Sequence, residues 1–326
     1  MIIKPIDKQN WVFGANNGIK KGEVPIDEKY LPTTESQRFK SFDPWWCPNA
    51  SLCNVLEYRF NWMIDKALLS ADNIKWLYDN GYIDINGKVN FDDWFQARVS
   101  GTIPGKGNSF NGAADGARKY GLTPQTISPF NIDDYNNDKA DFYQSIPNEL
   151  YKLGEEFKDR FKINYEVVYD YDFDIALKYG PMQVGVSNWL KQGDYYVSNG
   201  GIIHVTMLFD DPWRAFDTYD PFIKSLHPNY DFFYYGYQWY VNEHKSLISI
   251  LMDYFVRLKN GAIYWGKSGT NKLQKINSDN AGMAAITHLT RMKGQETYNV
   301  DDLDGYEVTD EFFGSSLLDK FKKLIN

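Results

Sequence analysis

Residues Phe42–Met63, FDPWWCPNASLCNVLEYRFNWM, hold the first strong helical signal in the chain and a cysteine at its start. Asp43-Pro44 is an approach that breaks helices, and Pro48 suits a first helical position. Cys47 is therefore expected at the cap, among N–H groups that have no partner inside the helix. Thiols at helix N-termini are the acidified, reactive ones. Downstream, Ala50, Cys53, Leu56, Phe60, Met63 and Ala67 recur at helical spacing, which predicts a helix to about Leu69 with one buried face. Cys53 lies on that stripe and reads as a small core residue, the usual fate of a free cysteine. Six residues at about 1.5 Å rise put its Cα about 9 Å from that of Cys47, too far for a disulfide. Cys47 stands off the stripe and is the nucleophile candidate.

The totals narrow the function classes. The chain has 326 residues and a formal net charge of -8, which speaks against nucleic acid or an anionic membrane as partner. Two cysteines give no disulfide framework and fit a reducing compartment. The start, MIIKPIDKQN, lacks the apolar core of a secretory signal, and no apolar run of about 18 residues occurs. A cytoplasmic or virion-associated location is expected. Aromatic residues make up 17% of the chain, which suits grooves and interfaces as well as an aromatic-rich core.

Residues 1–36 mix short apolar pairs with glycines and prolines and read as an extended arm with turns. After the Cys47 helix, Ser70 to Asp72 caps a short helix over 73–79, and Asn90 could cap a third through Val99. The stretch SGTIPGKGNSFNGAADGARKYGL is a glycine-rich loop followed by a helix over Ala113 to Lys119. Its spacing matches no phosphate-binding pattern. Residues 133–162 predict an amphipathic surface helix interrupted near Pro147. From Ile163 the texture turns to strand, in INYEVVYDY, PMQVGVSNW, GIIHVTMLF, RAFDTYD and YDFFYYGYQWY. Asp170, Asp172 and Asp174 imitate the opening of a calcium loop, but Ile175 stands where glycine is required and Pro181 where the closing glutamate belongs. Asp174 is instead expected to cap a helix over Ile175 to Tyr179, and neither a metal nor another cofactor is expected. Beyond His244, Asn260-Gly261 signals a hairpin, and helices are expected over 281–289 and 311–324 of a small accessory module.

A cysteine nucleophile needs an imidazole in reach and a third group to fix that ring. Of the four histidines, only His204 sits inside a strongly apolar strand, IIHVTMLF. The next strand, after Asp210-Asp211-Pro212, carries Asp217, and antiparallel pairing would let it face His204 across the ladder. A lone histidine on such a strand is more often core than catalyst. The pairing with Cys47 and Asp217 is what raises it to a candidate. His227, His244 and His288 lie in a loop, at a boundary and in the accessory module.

This order resembles the papain-like cysteine peptidases. CPNASLCNVLE is similar to their cysteine helix, GKGNSFNGAADGARKYGLTPQTISPF to their glycine motif and its sequel, and ALKYGPMQVGV to the strand before their histidine. HVTMLFDD and FDTYDPF take the places of their histidine and asparagine segments. The resemblance spans roughly Leu31 to Tyr240 and is nearest to divergent papain-like proteins of tailed phages and related mobile elements. It implies an α+β, two-lobed fold: a helical lobe over about 37–162, an antiparallel β-barrel-like lobe over about 163–245, and a small C-terminal α/β module over 246–326. It also implies a Cys47–His204–Asp217 peptidase acting on peptide or protein substrates, with Gln37 as oxyanion-hole glutamine and Gly105 and Gly107 lending backbone to an extended peptide. The sequence departs from the family in its bulky WWCPNAS surround, in the ten-residue spacing from Gln37 to Cys47, and in Asp217 replacing an asparagine. Those departures keep a second class open: an inert papain-like fold serving as a structural or binding subunit of a larger particle. A cell-wall amidase ranks last, because such enzymes place cysteine and histidine closer in sequence.

Overall fold

A computed structural model describes residues 12–13, 22–201 and 204–243, and the backbone of five strands between residues 255 and 308. The chain divides into two compact units, Met1–His244 and Lys245–Asn326. The first is α+β, with the helices preceding most of the strands. Helix α1 spans Cys47–Asp65, α2 Ala71–Asp79, α3 Asp93–Val99, α4 Phe110–Tyr120, α5 Lys139–Phe142 and α6 Asn148–Arg160. The strands and one further helix follow: β1 Phe161–Tyr169, α7 Phe173–Ala176, β2 Met182–Val186, β3 Trp189–Gln192, β4 Tyr195–Ser198, β5 His204–Asp210, β6 Arg214–Phe216, β7 Ile223–Ser225 and β8 Tyr235–Glu243.

Helix α1 is the axis of this unit. The stripe in its sequence predicts one buried face, yet every residue from Cys47 to Phe60 is buried, including Asn49, Glu57 and Arg59. The reason is its position: α3 and α4 pack on it from one side, and β2, β5 and β8 from the other. The polar side chains carried inside bond to the elements packed around the helix, although Arg59 Nε has no partner. Asn49 donates to Gln96 O and Ser100 Oγ, and Glu57 accepts from the Phe91 N–H. Arg59 donates to Tyr179 O and lies over the Tyr240 ring.

The sheet runs in the order β1-β8-β2-β5-β6-β7, antiparallel throughout. In β2 every residue is buried: Met182, Val184 and Val186 pack with the Phe173–Leu177 segment and Tyr230, while Gln183, on the other face, meets the start of α1, so the strand keeps its alternation although neither face reaches solvent. β3 and β4 form a separate two-stranded hairpin. Two expected helix starts move. Asp92, not Asn90, caps α3 through its bond from the Phe95 N–H. Asp174 lies within the first turn of α7, whose N-cap is Asp172. The surface helix expected over 133–162 is two helices, α5 and α6, with Pro147 as the N-cap of the second.

The described part of the N-terminal arm is bound into this unit. Val24, Tyr30 and Leu31 are buried in the core, and Phe13 N–H bonds Val167 O. In the second unit the described strands β9 (Phe255–Leu258), β10 (Ile263–Gly266), β11 (Lys272–Ile276), β12 (Thr297–Asn299) and β13 (Tyr306–Val308) form one sheet. β9 and β10 pair antiparallel with Ile263 opposite Arg257 and Tyr264 opposite Val256, a register centred on residue 260, whereas a two-residue turn at Asn260-Gly261 would set Tyr264 opposite Arg257; the turn residues lie outside the described residues. The helices expected over 281–289 and 311–324 lie outside the described residues.

Candidate active site

Cys47 is the first residue of α1, and Pro48 follows it, one position later than the sequence suggested. Trp46 is the N-cap and supplies no side-chain hydrogen bond, and the first turn contains no acidic residue. The helix therefore presents an uncapped positive end at the cysteine. Trp46 is fully buried among Phe39, Phe130 and Phe142, which fixes where the helix begins. Trp45 takes φ 55°, a left-handed conformation uncommon for a large side chain, and lines the cavity beside the sulfur.

His204 opens β5, where it pairs with Val186 of β2. Extending the Met207–Phe216 pairing of β5 and β6 sets Asp217 opposite Thr206, so His204, two residues back on the same face, meets it as a diagonal neighbour. His204 Nε2 is 2.5 Å from Asp217 Oδ1. The ring also faces Cys47 across the cavity and interacts with it electrostatically, and with Nε2 held by Asp217 the nitrogen left for the sulfur is Nδ1. Burial opposes charge on this ring, but Asp217 and Cys47 outweigh it and hold His204 up at about 10, so it is an imidazolium at neutral pH. Burial would raise the Asp217 carboxyl, yet His204 and Lys224 together hold it below the ordinary carboxylate range.

These groups share a cavity of about 420 Å³ lined by Cys47, His204, Asp217, Gln37, Trp45 and Trp189, among others. Gln37 is buried and tied to the segment that carries Asp217 by its backbone N–H bond to Thr218 O. Its side-chain amide faces the Tyr219 hydroxyl, which donates to Asp43 Oδ2, and its own Oε1 has no partner. Gly105 and Gly107 are not brought to the cavity. The Gly107 N–H and C=O both bond Ile103 within the turn, so they are not free to pair with a peptide strand.

Cys53 is fully buried, and burial, with the neighbouring Asp93 and Glu57, pushes its thiol well above the ordinary range. It is not joined to Cys47. Among the described residues, no group of three or more His, Cys, Asp or Glu side chains is placed to hold a metal ion, and no helix is long and apolar enough to cross a membrane.

Two residues that brace the candidate site escaped the sequence reading. Gln183 of β2 donates to Pro48 O and Ser51 Oγ and accepts from Trp239 Nε1, which locks the start of α1 to the sheet. Ser51 in turn donates to Cys47 O. Lys224 is the buried centre of β7, between exposed Ile223 and half-buried Ser225. A strand with its lysine inside and its isoleucine outside was the available signal, but three residues are too few to reveal an inverted alternation. Comparisons with protein-family models and with curated proteins returned no match for this chain.

Proposed function

We propose that the first unit is a papain-like cysteine peptidase whose two lobes meet along α1, with Cys47 as nucleophile, His204 as general acid and base, and Asp217 as orienter. One observation carries the reading: an uncapped helix N-terminus, a cysteine on it, and an imidazole fixed by a buried carboxylate converge on one cavity. The thiolate would attack a peptide carbonyl, and the Cys47 N–H, which α1 does not use, is a donor for the oxyanion. Gln37 lies on the same wall and would supply a second donor once its amide turns from Tyr219, each such donor contributing about 3 kcal/mol in comparable sites. The His204 imidazolium then gives its proton to the departing amine, the C–N bond breaks, and water attacks the thioester to release the acid and restore the thiol. Trp45 and Trp189 provide flat apolar walls for a peptide side chain.

The engagement of the Gln37 amide with Tyr219 favours the second reading, an inert fold that binds without cleaving. Alkylation separates the two. Iodoacetamide at pH 6 is expected to modify Cys47 at least tenfold faster than Cys53, and His204→Ala to remove that difference, since the thiolate fraction sets the rate. Fluorescein-labelled casein cleaved by the native chain and not by Cys47→Ala would complete the case. Equal, slow modification of both thiols would leave the inert fold.

A further inference from the structure

The third member of the site is not a lone carboxylate. Asp217 is 1% exposed and its two oxygens have different partners: Oδ1 meets His204 Nε2, and Oδ2 accepts from Lys224 Nζ at 2.7 Å. Lys224, 5% exposed, places its other two N–H groups on Tyr219 O at 2.5 Å and Pro221 O at 2.6 Å. An ammonium has three donors and no acceptor, so its capacity is filled by the segment Asp217–Pro221. That segment is closed by the Asp217 N–H bond to Phe222 O, and so winds round a single buried charge. Trp189 and Tyr196 cover the ammonium with their rings at 4.8 and 5.9 Å.

Charge counting shows what this does. A reactive thiolate–imidazolium pair beside an unpaired buried carboxylate carries a net negative charge, which opposes the thiolate. With the ammonium added the four groups sum to zero. A carboxylate and an ammonium then perform jointly what one neutral amide would do alone: accept from the ring, donate to the backbone, and add no net charge. The other charged or titratable groups facing this set are Arg38, which lies over the Tyr219 ring, Asp43, which accepts from the Tyr219 hydroxyl, and the Tyr219 and Tyr196 phenols.

We propose that Lys224 is a positioning residue of the site: it holds the Asp217 carboxylate at His204 and cancels its charge, so that the Cys47 thiolate forms at lower pH than it would beside Asp217 alone. This rests on the peptidase reading of Cys47 and His204. A buried ion pair that merely closed the loop would have no effect on the sulfur's titration.

The test is the pH dependence of Cys47 alkylation by iodoacetamide in the full chain, in which the thiolate displaces iodide, measured peptide by peptide by mass spectrometry from pH 4 to 9. The native rate is expected to inflect well below the free-thiol value of about 8.5. Lys224→Met should move that inflection up by about one pH unit, a tenfold lower rate on the acid side, while Asp217→Asn should move it down. The double variant Asp217→Asn/Lys224→Met, which has a neutral amide and no ammonium, should return it to the native position. Opposite shifts that cancel are not produced by general loosening of the fold. If Lys224→Met does not fold, the inflection of Asp217→Asn against that of the double variant reads the same ammonium charge. A low native inflection that stays in place when Lys224 is removed overturns the inference alone. A native inflection near the free-thiol value sinks the nucleophile assignment and the inference with it.

Discussion

At the scale of single residues, position separates two cysteines of the same chemistry. Cys47 meets an imidazolium and an uncapped helix end, whereas Cys53 lies beside Asp93 and Glu57 in a dry interior. The His204 ring, held at about 10, sets the alkaline edge of the proposed reaction, because the leaving amine needs its proton. Casein hydrolysis is expected to hold through pH 9 and to fall above about 10. Asp217→Ala removes a charge that raises the ring, so in that variant the fall should begin at lower pH, alongside a reduced rate. A pH–rate profile of both proteins checks this, and an unmoved alkaline edge in Asp217→Ala would contradict the orienting role. The candidate residues Cys47, His204 and Asp217 were legible from the sequence because helix punctuation, an apolar strand and its hairpin partner are local patterns. Lys224 was not, because its meaning depends on a loop closing around it.

At the scale of elements, α1 has to arrive at the sheet with its first turn beside β5. Gln183 provides that alignment through three buried hydrogen bonds to Pro48, Ser51 and Trp239. Gln183→Leu would leave those groups unpaired in the interior, a cost of about 2–3 kcal/mol. Denaturant titration should show that loss together with slower Cys47 alkylation at pH 6. Unchanged alkylation would mean that the helix start is held by other contacts. The helical half depends on a second close approach. Gly121, at φ 74°, abuts Gly154 of α6, and a Cβ on Gly154 would lie 2.1 Å from Tyr120 O. Gly154→Ala should therefore force α4 and α6 apart and cost about 1–3 kcal/mol in thermal or chemical unfolding. It should leave the sulfur's pH response unchanged, since α6 supplies nothing to the cavity.

At the scale of the whole molecule, a cluster of buried and half-buried acidic side chains on and around α1 couples stability to pH. Burial raises the Asp92 and Asp93 carboxyls from 3.8 to about 7, and burial with neighbouring carboxylates raises Glu35 and Glu57 well above their ordinary value. A carboxyl whose folded value lies above its unfolded one stabilises the fold fully only below the unfolded value. That stabilisation is lost as pH rises through the folded value. Between pH 4 and pH 7 this cluster should therefore make the chain progressively less stable. His204, raised in the same sense from 6.5 to about 10, extends the decline upward. Melting temperatures at pH 5 and pH 8 should fall in that order, and Asp93→Asn should narrow the gap. A native chain more stable at pH 8 than at pH 5 would contradict the protonated cluster.

The sequence by itself determined the α+β class of the first unit, the helix that carries Cys47 and most of the strand segments, because helical and strand periodicities and their stop signals act over a few residues. Only the tertiary structure decided that α1 is buried from Cys47 to Phe60, that Gly105 and Gly107 stay outside the cavity, and that a buried lysine pairs with Asp217. Those outcomes depend on which distant elements pack together. Burial, hydrogen-bond completion and charge balance are properties of that packing, and no window of sequence contains them.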